Sequence, residues 1–341
     1  MGGLNLRIVT ERLRPLGKLL RWVLGSVLLL VALLWLADRI WPLPLPKDDL
    51  ARVVLAEDGT PLWRFADANG VWRYPVETSQ VSPYYLDALL TYEDRWFYQH
   101  PGINPLALGR ATWQNLSGGR VLSGGSTLSM QVARLLDPHS RTLFGKLRQL
   151  WRTAQLEWHL SKDQILNLYL NRAPFGGTLQ GVAAASWAYL GKSPQHLTHA
   201  EAALLAVLPQ APSRLRPDRH AARAQVARDK VLRRLAQFQV WPQSAVDEAL
   251  EEPLLLAPRL EPSLAPLLAR RLNRPDSPPL IRTTLDANLH DVSKTCCWAG
   301  ARACRSTPRR RFWWSRKKPW RCAPISARWI SMTTGASAMS T

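Results

Sequence analysis

Ser82-Pro-Tyr-Tyr-Leu-Asp-Ala-Leu-Leu-Thr-Tyr-Glu-Asp94 opens the part of the chain where helical periodicity takes over. Ser82 supplies an N-cap and Pro83 an N1 residue, so a helix starts there, and Leu86, Leu89, Leu90 and Glu93 recur along one face. Asp87, Thr91 and Asp94 fall on a different, polar face. Glu93 therefore shares the apolar stripe close to a helix C-terminus, where desolvation and the helix dipole both disfavour the anion. Both effects raise its pKa and make it a better base near neutrality. A purely structural Glu93, paired with Arg95 or another cation, fits the periodicity equally well.

The same period continues downstream through residues 143–170 and 201–208 with few convincing strands, so the main domain is mostly α. Upstream, Val53-Val-Leu-Ala56 and Leu62-Trp-Arg-Phe65 flank the turn signal Asp58-Gly59 and predict a small β pair. Between these regions Gly124-Gly-Ser-Thr127 precedes Leu128, Met130 and Gln131 at the start of another helix. Glycines and the hydroxyls of Ser126 and Thr127 at a helix N-terminus can present N–H groups to an anion such as pyrophosphate. An ordinary capped helix has the same appearance.

Residues 22–37 are uninterrupted apolar, Gly or Ser positions, and Leu19, Leu20 and a snorkelling Arg21 extend them to the roughly 20 residues a spanning helix needs. Arg7, Arg12, Arg14, Lys18 and Arg21 precede this run against Glu11 alone, which keeps the N-terminus cytoplasmic and puts everything after Asp38 outside. The run ends Leu-Trp-Leu-Ala-Asp-Arg, without the small-x-small pattern of signal cleavage, so it reads as an uncleaved anchor. Trp41-Pro-Leu-Pro-Leu-Pro46 is a stiff spacer holding the next domain close to the bilayer.

A hydrophobic content of 46% excludes disorder throughout, and the net charge of +20 is unevenly spread. Eleven Lys and Arg against the single acid Asp291 lie in Asp291–Thr341, which also holds all four cysteines, Cys296, Cys297, Cys304 and Cys322. The preceding domain thus uses neither disulfides nor thiolate metal sites. Proline accumulates over residues 252–279, marking extended chain after the helical domain, and Ile281-Arg-Thr-Thr-Leu-Asp286 reads as a strand entering something new. The predicted organisation is a cytoplasmic N-terminus (1–18), a transmembrane anchor (19–37), a Pro-rich spacer (38–50), a small β segment (51–80), a helical domain (81–245), a linker (246–290) and a basic tail (291–341).

Glu93-Asp-Arg-Trp-Phe-Tyr-Gln-His-Pro-Gly102 resembles the first signature of the family 51 glycosyltransferases. Gly124-Gly-Ser-Thr-Leu-Ser-Met-Gln131 with Arg134 resembles the second. Leu156-Glu157, Ser161-Lys-Asp-Gln-Ile-Leu166 and Tyr169-Leu-Asn171 resemble the next. Phe175-Gly176, Ala184-Ala185, Tyr189-Leu-Gly-Lys192 and the run from Glu201 to Leu208-Pro-Gln-Ala-Pro212 complete five ordered blocks. Over residues 53–289 the chain is most similar to class A penicillin-binding proteins of the 1C type, which join a lysozyme-like, all-α glycosyltransferase domain to a transpeptidase. Thr283-Thr-Leu-Asp286 resembles the strand entering that second domain. Of the transpeptidase signatures Lys-Thr-Gly does not occur, and the single Ser-x-x-Lys spacing, Ser315 to Lys318, lies inside the basic run of the tail. No transpeptidase activity is expected.

The resemblance implies that Glu93 deprotonates the GlcNAc 4-hydroxyl of lipid II, which attacks the reducing-end MurNAc C1 of the growing glycan strand and expels undecaprenyl pyrophosphate with inversion. It implies Ser126, Thr127, Gln131, Arg134 and Lys146 as substrate-binding residues. The family usually has a second Glu in an Arg-Lys-x-x-Glu segment, where this chain has Gln149, with Gly145 at the Arg position and Lys146 retained. Arg148 is the candidate substitute for the lost cation, and Gln149 can hydrogen-bond to phosphate or sugar but cannot hold a metal strongly. A divalent cation such as Mg is thus an open cofactor, with no metal ligands assigned. Glu157 matches a Glu that orders the fold and is a second-choice functional carboxylate, as is Asp94; His100 reads as a structural member of its loop. A lysozyme-like peptidoglycan hydrolase and a noncatalytic wall-synthesis scaffold are the competing readings. The tail, with Arg309-Arg-Arg-Phe-Trp-Trp314, has neither helical nor strand period and reads as a lost reading frame near residue 290; beyond the membrane no nucleic-acid partner is expected.

Overall fold

The computed structural model describes residues 6–45, 51–104, 109, 113, 117, 125–140, 142–257, 265–274 and 276–286. Gly124, Pro46 and the tail lie outside the described residues.

Helix α1 (Leu6–Ile40) contains a 20-residue apolar stretch, Arg21–Ile40, whose side chains from Trp22 to Leu36 are largely exposed. It is long and apolar enough to cross a membrane. Its end is held by polar bonds to the helical domain, described below.

The predicted hairpin forms as β1 (Val53–Leu55) and β2 (Pro61–Arg64), antiparallel around a turn in which Gly59 takes φ +84° and Asp58 accepts from Thr60 N–H at 2.9 Å. Two further short strands, β3 (Pro174–Gly176) and β4 (Leu179–Gln180), make a second hairpin. The sheet also gains a strand from the far end of the described chain. In β5 (Leu280–Arg282) Val53 aligns with Leu280 and Leu55 with Arg282 in parallel register. The segment expected to enter a further domain therefore completes the sheet next to β1, and the β pair is a three-stranded sheet.

Helix α2 (Pro83–Glu93) has the expected limits, although Ser82 Oγ makes no cap bond to it. Its faces differ from the periodicity reading. Thr91 and Asp94 are buried, Leu86 and Leu90 are only partly so, and Tyr85, Ala88 and Leu89 carry the core contacts. The reason is that α2 is sandwiched between neighbours on more than one side.

Helices α3 (Leu128–Leu136), α4 (Leu143–His159) and α5 (Lys162–Arg172) follow. The apolar periodicity of residues 143–170 is thus broken at Leu160, because Ser161 caps α5 with a reciprocal Gln164 box. A short turn, α6 (Val182–Ala185), leads to α7 (His199–Val207), where every residue from Ala202 to Val207 is buried. Helices that are apolar all round become central elements. Helix α2 packs on α7 and α8 (Ala221–Gln237), while α3 packs on α4 and α5. Glu93 stands at the end of α2, between these two groups.

Helix α9 (Gln243–Glu251) runs across the boundary expected at residue 245 and buries Val246 and Ala249. The fully buried Arg228 of α8 ties it down by donating to Glu252 O at 2.7 Å and to Asp229. The helical body therefore continues to about residue 252, and α10 (Pro266–Leu272) packs on β2 with Ala265 and Ala269 in a small separate core.

Candidate active site

Glu93 is the last residue of α2, and the peptide beyond it turns sharply at Asp94, whose N–H caps the helix on Leu90 O. Its Oε2 accepts from Gln131 Nε2 at 2.7 Å, while Oε1 is out of solvent and has no partner among the described residues. Among the described residues it makes no ion pair. Arg95 lies instead over the Trp96 and Phe238 rings, at 5.7 and 4.4 Å. Burial pushes the Glu93 carboxyl above its ordinary pKa and Asp94 adds to the rise, whereas the Gln131 bond and the Arg234 guanidinium oppose it. A buried oxygen without a donor costs about 1–3 kcal/mol, so the site holds a carboxylate ready to accept a proton.

Two residues that the sequence reading gave no part in the site adjoin this carboxyl. Tyr85 of α2 and Tyr169 of α5 are fully buried with unpartnered hydroxyls. Burial is the main cause of their raised pKa values, and the Glu93 charge adds to both. The spacing of Tyr85 and Glu93 along α2 is two helical turns, but nothing in a single sequence distinguishes Tyr85 from an ordinary core aromatic.

Asp94 organises the junction of the first two signatures. Its Oδ1 meets His100 Nε2 at 2.9 Å and its Oδ2 accepts from Leu128 N–H, the first residue of α3, at 3.0 Å. The carboxylate therefore occupies the positive end of that helix. His100 has the acid partner that its sequence context did not reveal. Thr127 Oγ1 accepts from Met130 N–H at 3.2 Å and donates to Gly102 O, so this hydroxyl caps the helix and binds the first loop. The predicted anion cradle is thus largely used by the protein itself; Ser126 alone of its hydroxyls is exposed. Gly102 needs to be glycine, since its φ is +75° and a Cβ would lie 2.5 Å from Glu157 Cγ. Glu157 in turn accepts from Ser129 Oγ and from Lys162 Nζ, the latter at 2.8 Å, which is a structural placement.

The departures at residues 145–149 have visible causes. Gly145 is buried against the preceding turn, where a Cβ would lie 2.1 Å from Ser140 O, so no longer side chain fits. Gln149 is buried, donates to Met130 O at 2.6 Å and accepts from Lys146 Nζ at 3.1 Å. Both its polar ends have partners within the protein. It fastens α4 to α3 and positions Lys146. Arg148 is no spare cation either: it forms a bidentate pair with Asp137 at 2.8 and 2.7 Å, and Arg152 shares that acid. Among the described residues Lys146, half-buried, and the exposed Arg134 have no acid partner. Burial, and then Arg134, lower the Lys146 pKa.

A profile of the family described as Transglycosylase matches residues 58–236. The chain belongs to that family. Penicillin-binding protein 1C of Escherichia coli (strain K12) is 66% identical over 255 residues, which is 75% of this chain and 33% of that protein. Penicillin-binding protein 1B of Vibrio cholerae is 40% identical over 174 residues, 50% of this chain and 22% of that one. A crystal structure of penicillin-binding protein 1A from Haemophilus influenzae aligns over 81% of this chain and 33% of its own, with 20% identity and a TM-score of 0.37, too loose a likeness to argue from. This chain spans a third or less of the length of these curated relatives. The transglycosylase match begins at the hairpin turn and ends inside α8, so it encloses Glu93 and all its partners.

The residues present do not suit a resident divalent cation. Among the described residues no three His, Cys, Asp or Glu converge. Asp94, Asp137 and Glu157 each already bind protein donors through their carboxylate oxygens. No step below is routed through a metal.

Proposed function

We propose that this transglycosylase-family chain is a peptidoglycan glycosyltransferase, anchored by α1 in the bacterial inner membrane with its helical domain outside, which polymerises lipid II into glycan strands. The observation that carries the reading is Glu93: a carboxylate with one oxygen oriented by Gln131 and the other unpartnered, in surroundings that raise its pKa.

In this reading the acceptor GlcNAc 4-hydroxyl gives its proton to Glu93 as O4 forms a bond to C1 of the MurNAc of the growing strand. The C1–oxygen bond to the diphosphate breaks on the opposite face, and undecaprenyl pyrophosphate leaves with the electron pair. A diphosphate leaving group needs cations rather than a protonating acid, and that is what Lys146 and Arg134 supply. This removes the need for a second carboxylic acid, which inverting hydrolysis of an ordinary glycoside requires. Among the described residues Lys146 and Arg134 have no acid partner, while Asp94, Asp137 and Glu157 are engaged by protein donors, which supports transfer over hydrolysis. Wall-synthesis proteins in the same membrane are the expected partners.

Glu93→Gln tests the assignment. It keeps size and the Gln131 neighbour but removes the base, and polymerisation of labelled lipid II should fall at least about a hundredfold with the melting temperature unchanged. Turnover near the parent level would overturn the role.

A further inference from the structure

A cavity of about 250 Å³ opens beside Tyr92, the residue before Glu93. One wall is the face of α8 carrying Arg223, Ala227 and Lys230, at spacings of four and three residues that align them along the helix. Arg234, four residues further on, continues this stripe over the Tyr92 ring, 5.5 Å from its centroid. The facing wall comes from the chain after α7, where Arg214 and Leu215 line the cavity and Gln210 Oε1 accepts from Tyr92 Oη at 3.3 Å.

The charge here is one-sided. No acid lines the cavity, and Arg214, Arg223 and Lys230 form no ion pair among the described residues. The two acids nearest in sequence are committed elsewhere: Asp218 to Arg216 at 2.7 Å and Asp229 to the buried Arg228 at 2.9 Å. Three cations brought to one concave site repel one another, and an anionic tenant relieves that repulsion.

Which anion reaches the cavity follows from its position. Helix α4, which carries Lys146, is fixed to the end of the anchor. Arg152 Nη1 donates to Trp41 O and Pro42 O, both at 3.0 Å, and Gln155 Nε2 donates to Asp38 at 2.8 Å and to Trp41 O at 2.7 Å. His159 Nε2 lies 3.0 Å from both Asp38 oxygens. Lipid diphosphates, tied to the bilayer, belong at that end. The cavity belongs to the other group of helices, α2, α7 and α8, and the bonds that hold the anchor end come from α4 instead. The anion arriving there is then one other than the diphosphate, and in a peptidoglycan precursor the remaining anions are the carboxylates of the peptide on MurNAc.

We propose that the Arg214–Arg223–Lys230 cavity binds a carboxylate of the peptide carried by the substrate, and so makes the enzyme selective for peptide-bearing glycan. The inference rests on the glycosyltransferase reading above for its substrate. The cations act on binding, not on the reacting atoms, so their loss affects KM and leaves kcat in place.

The test compares the full detergent-solubilised chain with Arg223→Gln/Lys230→Gln, two exposed positions whose exchange should leave melting unchanged. Each is given lipid II and a lipid II whose peptide carboxylates are amidated. Loss of a charge-assisted contact is worth about tenfold or more in binding. The parent should therefore show a KM at least about tenfold higher for the amidated substrate, with kcat within about twofold, and the variant should treat both substrates alike. A parent indifferent to amidation, or a variant that still discriminates, overturns the proposal. A second readout does not depend on turnover: the free acidic peptide, titrated by calorimetry, should bind the parent and not the variant. Inorganic diphosphate binding in a manner that needs Arg223 and Lys230, with no peptide binding, would overturn the carboxylate assignment. If the parent polymerises nothing yet binds the peptide through these residues, the cavity stands and the glycosyltransferase reading fails.

Discussion

Gln131→Met removes the one hydrogen-bond donor on Glu93 among the described residues while keeping the length and volume of the side chain. The bond at 2.7 Å from Nε2 to Oε2 stabilises the carboxylate, not the carboxylic acid, and it is the leading effect that lowers the Glu93 pKa against burial. A hydrogen bond to a charged group contributes about 1.5–3 kcal/mol, so its loss should favour the protonated Glu93 by roughly ten- to a hundredfold and raise its pKa further. The sign follows from the role. A base works when deprotonated, and burial already holds this carboxyl above the ordinary value, so activity is lost as pH falls through the raised pKa. Gln131→Met moves that acid limb to higher pH. The assay is kcat/KM for lipid II polymerisation at pH 4.5 to 9, with plateau rate and limb fitted separately. The refuting result is an acid limb that stays put or moves to lower pH, since either would mean that Glu93 ionisation does not control the rate or that Gln131 does not stabilise the anion.

Asp94→Ala removes the part-buried bond to His100 and the buried bond to the first N–H of α3, at a cost of about 3 kcal/mol, or roughly 6–12 °C in melting temperature for a domain of this size. Differential scanning calorimetry checks it, and a change under 2 °C would show the junction to be dispensable. On topology, a reporter active only outside the cytoplasm should be active when fused after Pro46, because five Lys and Arg precede the anchor against Glu11. Activity from a cytoplasmic reporter at the same junction would reverse the orientation.

The helical class, the limits of α2 and the position of Glu93 on it were legible because they rest on local signals: a Ser-Pro start, a 3.6-residue period and a signature run. Much of what surrounds Glu93 was not. Asp94 was assigned to a polar face, yet it is buried as the partner of His100 and the cap of a helix that begins 34 positions later. Periodicity describes one helix and says nothing of a neighbour that arrives from elsewhere. Gln149 and Arg148 stand where the signature has charged groups, and their bonds to Met130 O and Asp137 have no local sign in the sequence. The β5 strand was recognised as a strand, while its pairing with β1 across more than 220 residues has no local signature. The basic cavity escaped for the same reason: its cations sit in two segments that look like solvated helix surface when read singly.

Product analysis tests the central claim most directly. Detergent-solubilised protein is incubated with labelled lipid II, and the products are resolved before and after muramidase digestion. The account predicts a muramidase-sensitive polymer with undecaprenyl pyrophosphate released in step with each disaccharide added, and neither product from Glu93→Gln. Folded protein that leaves lipid II untouched, or that frees the disaccharide to water without forming polymer, would contradict it.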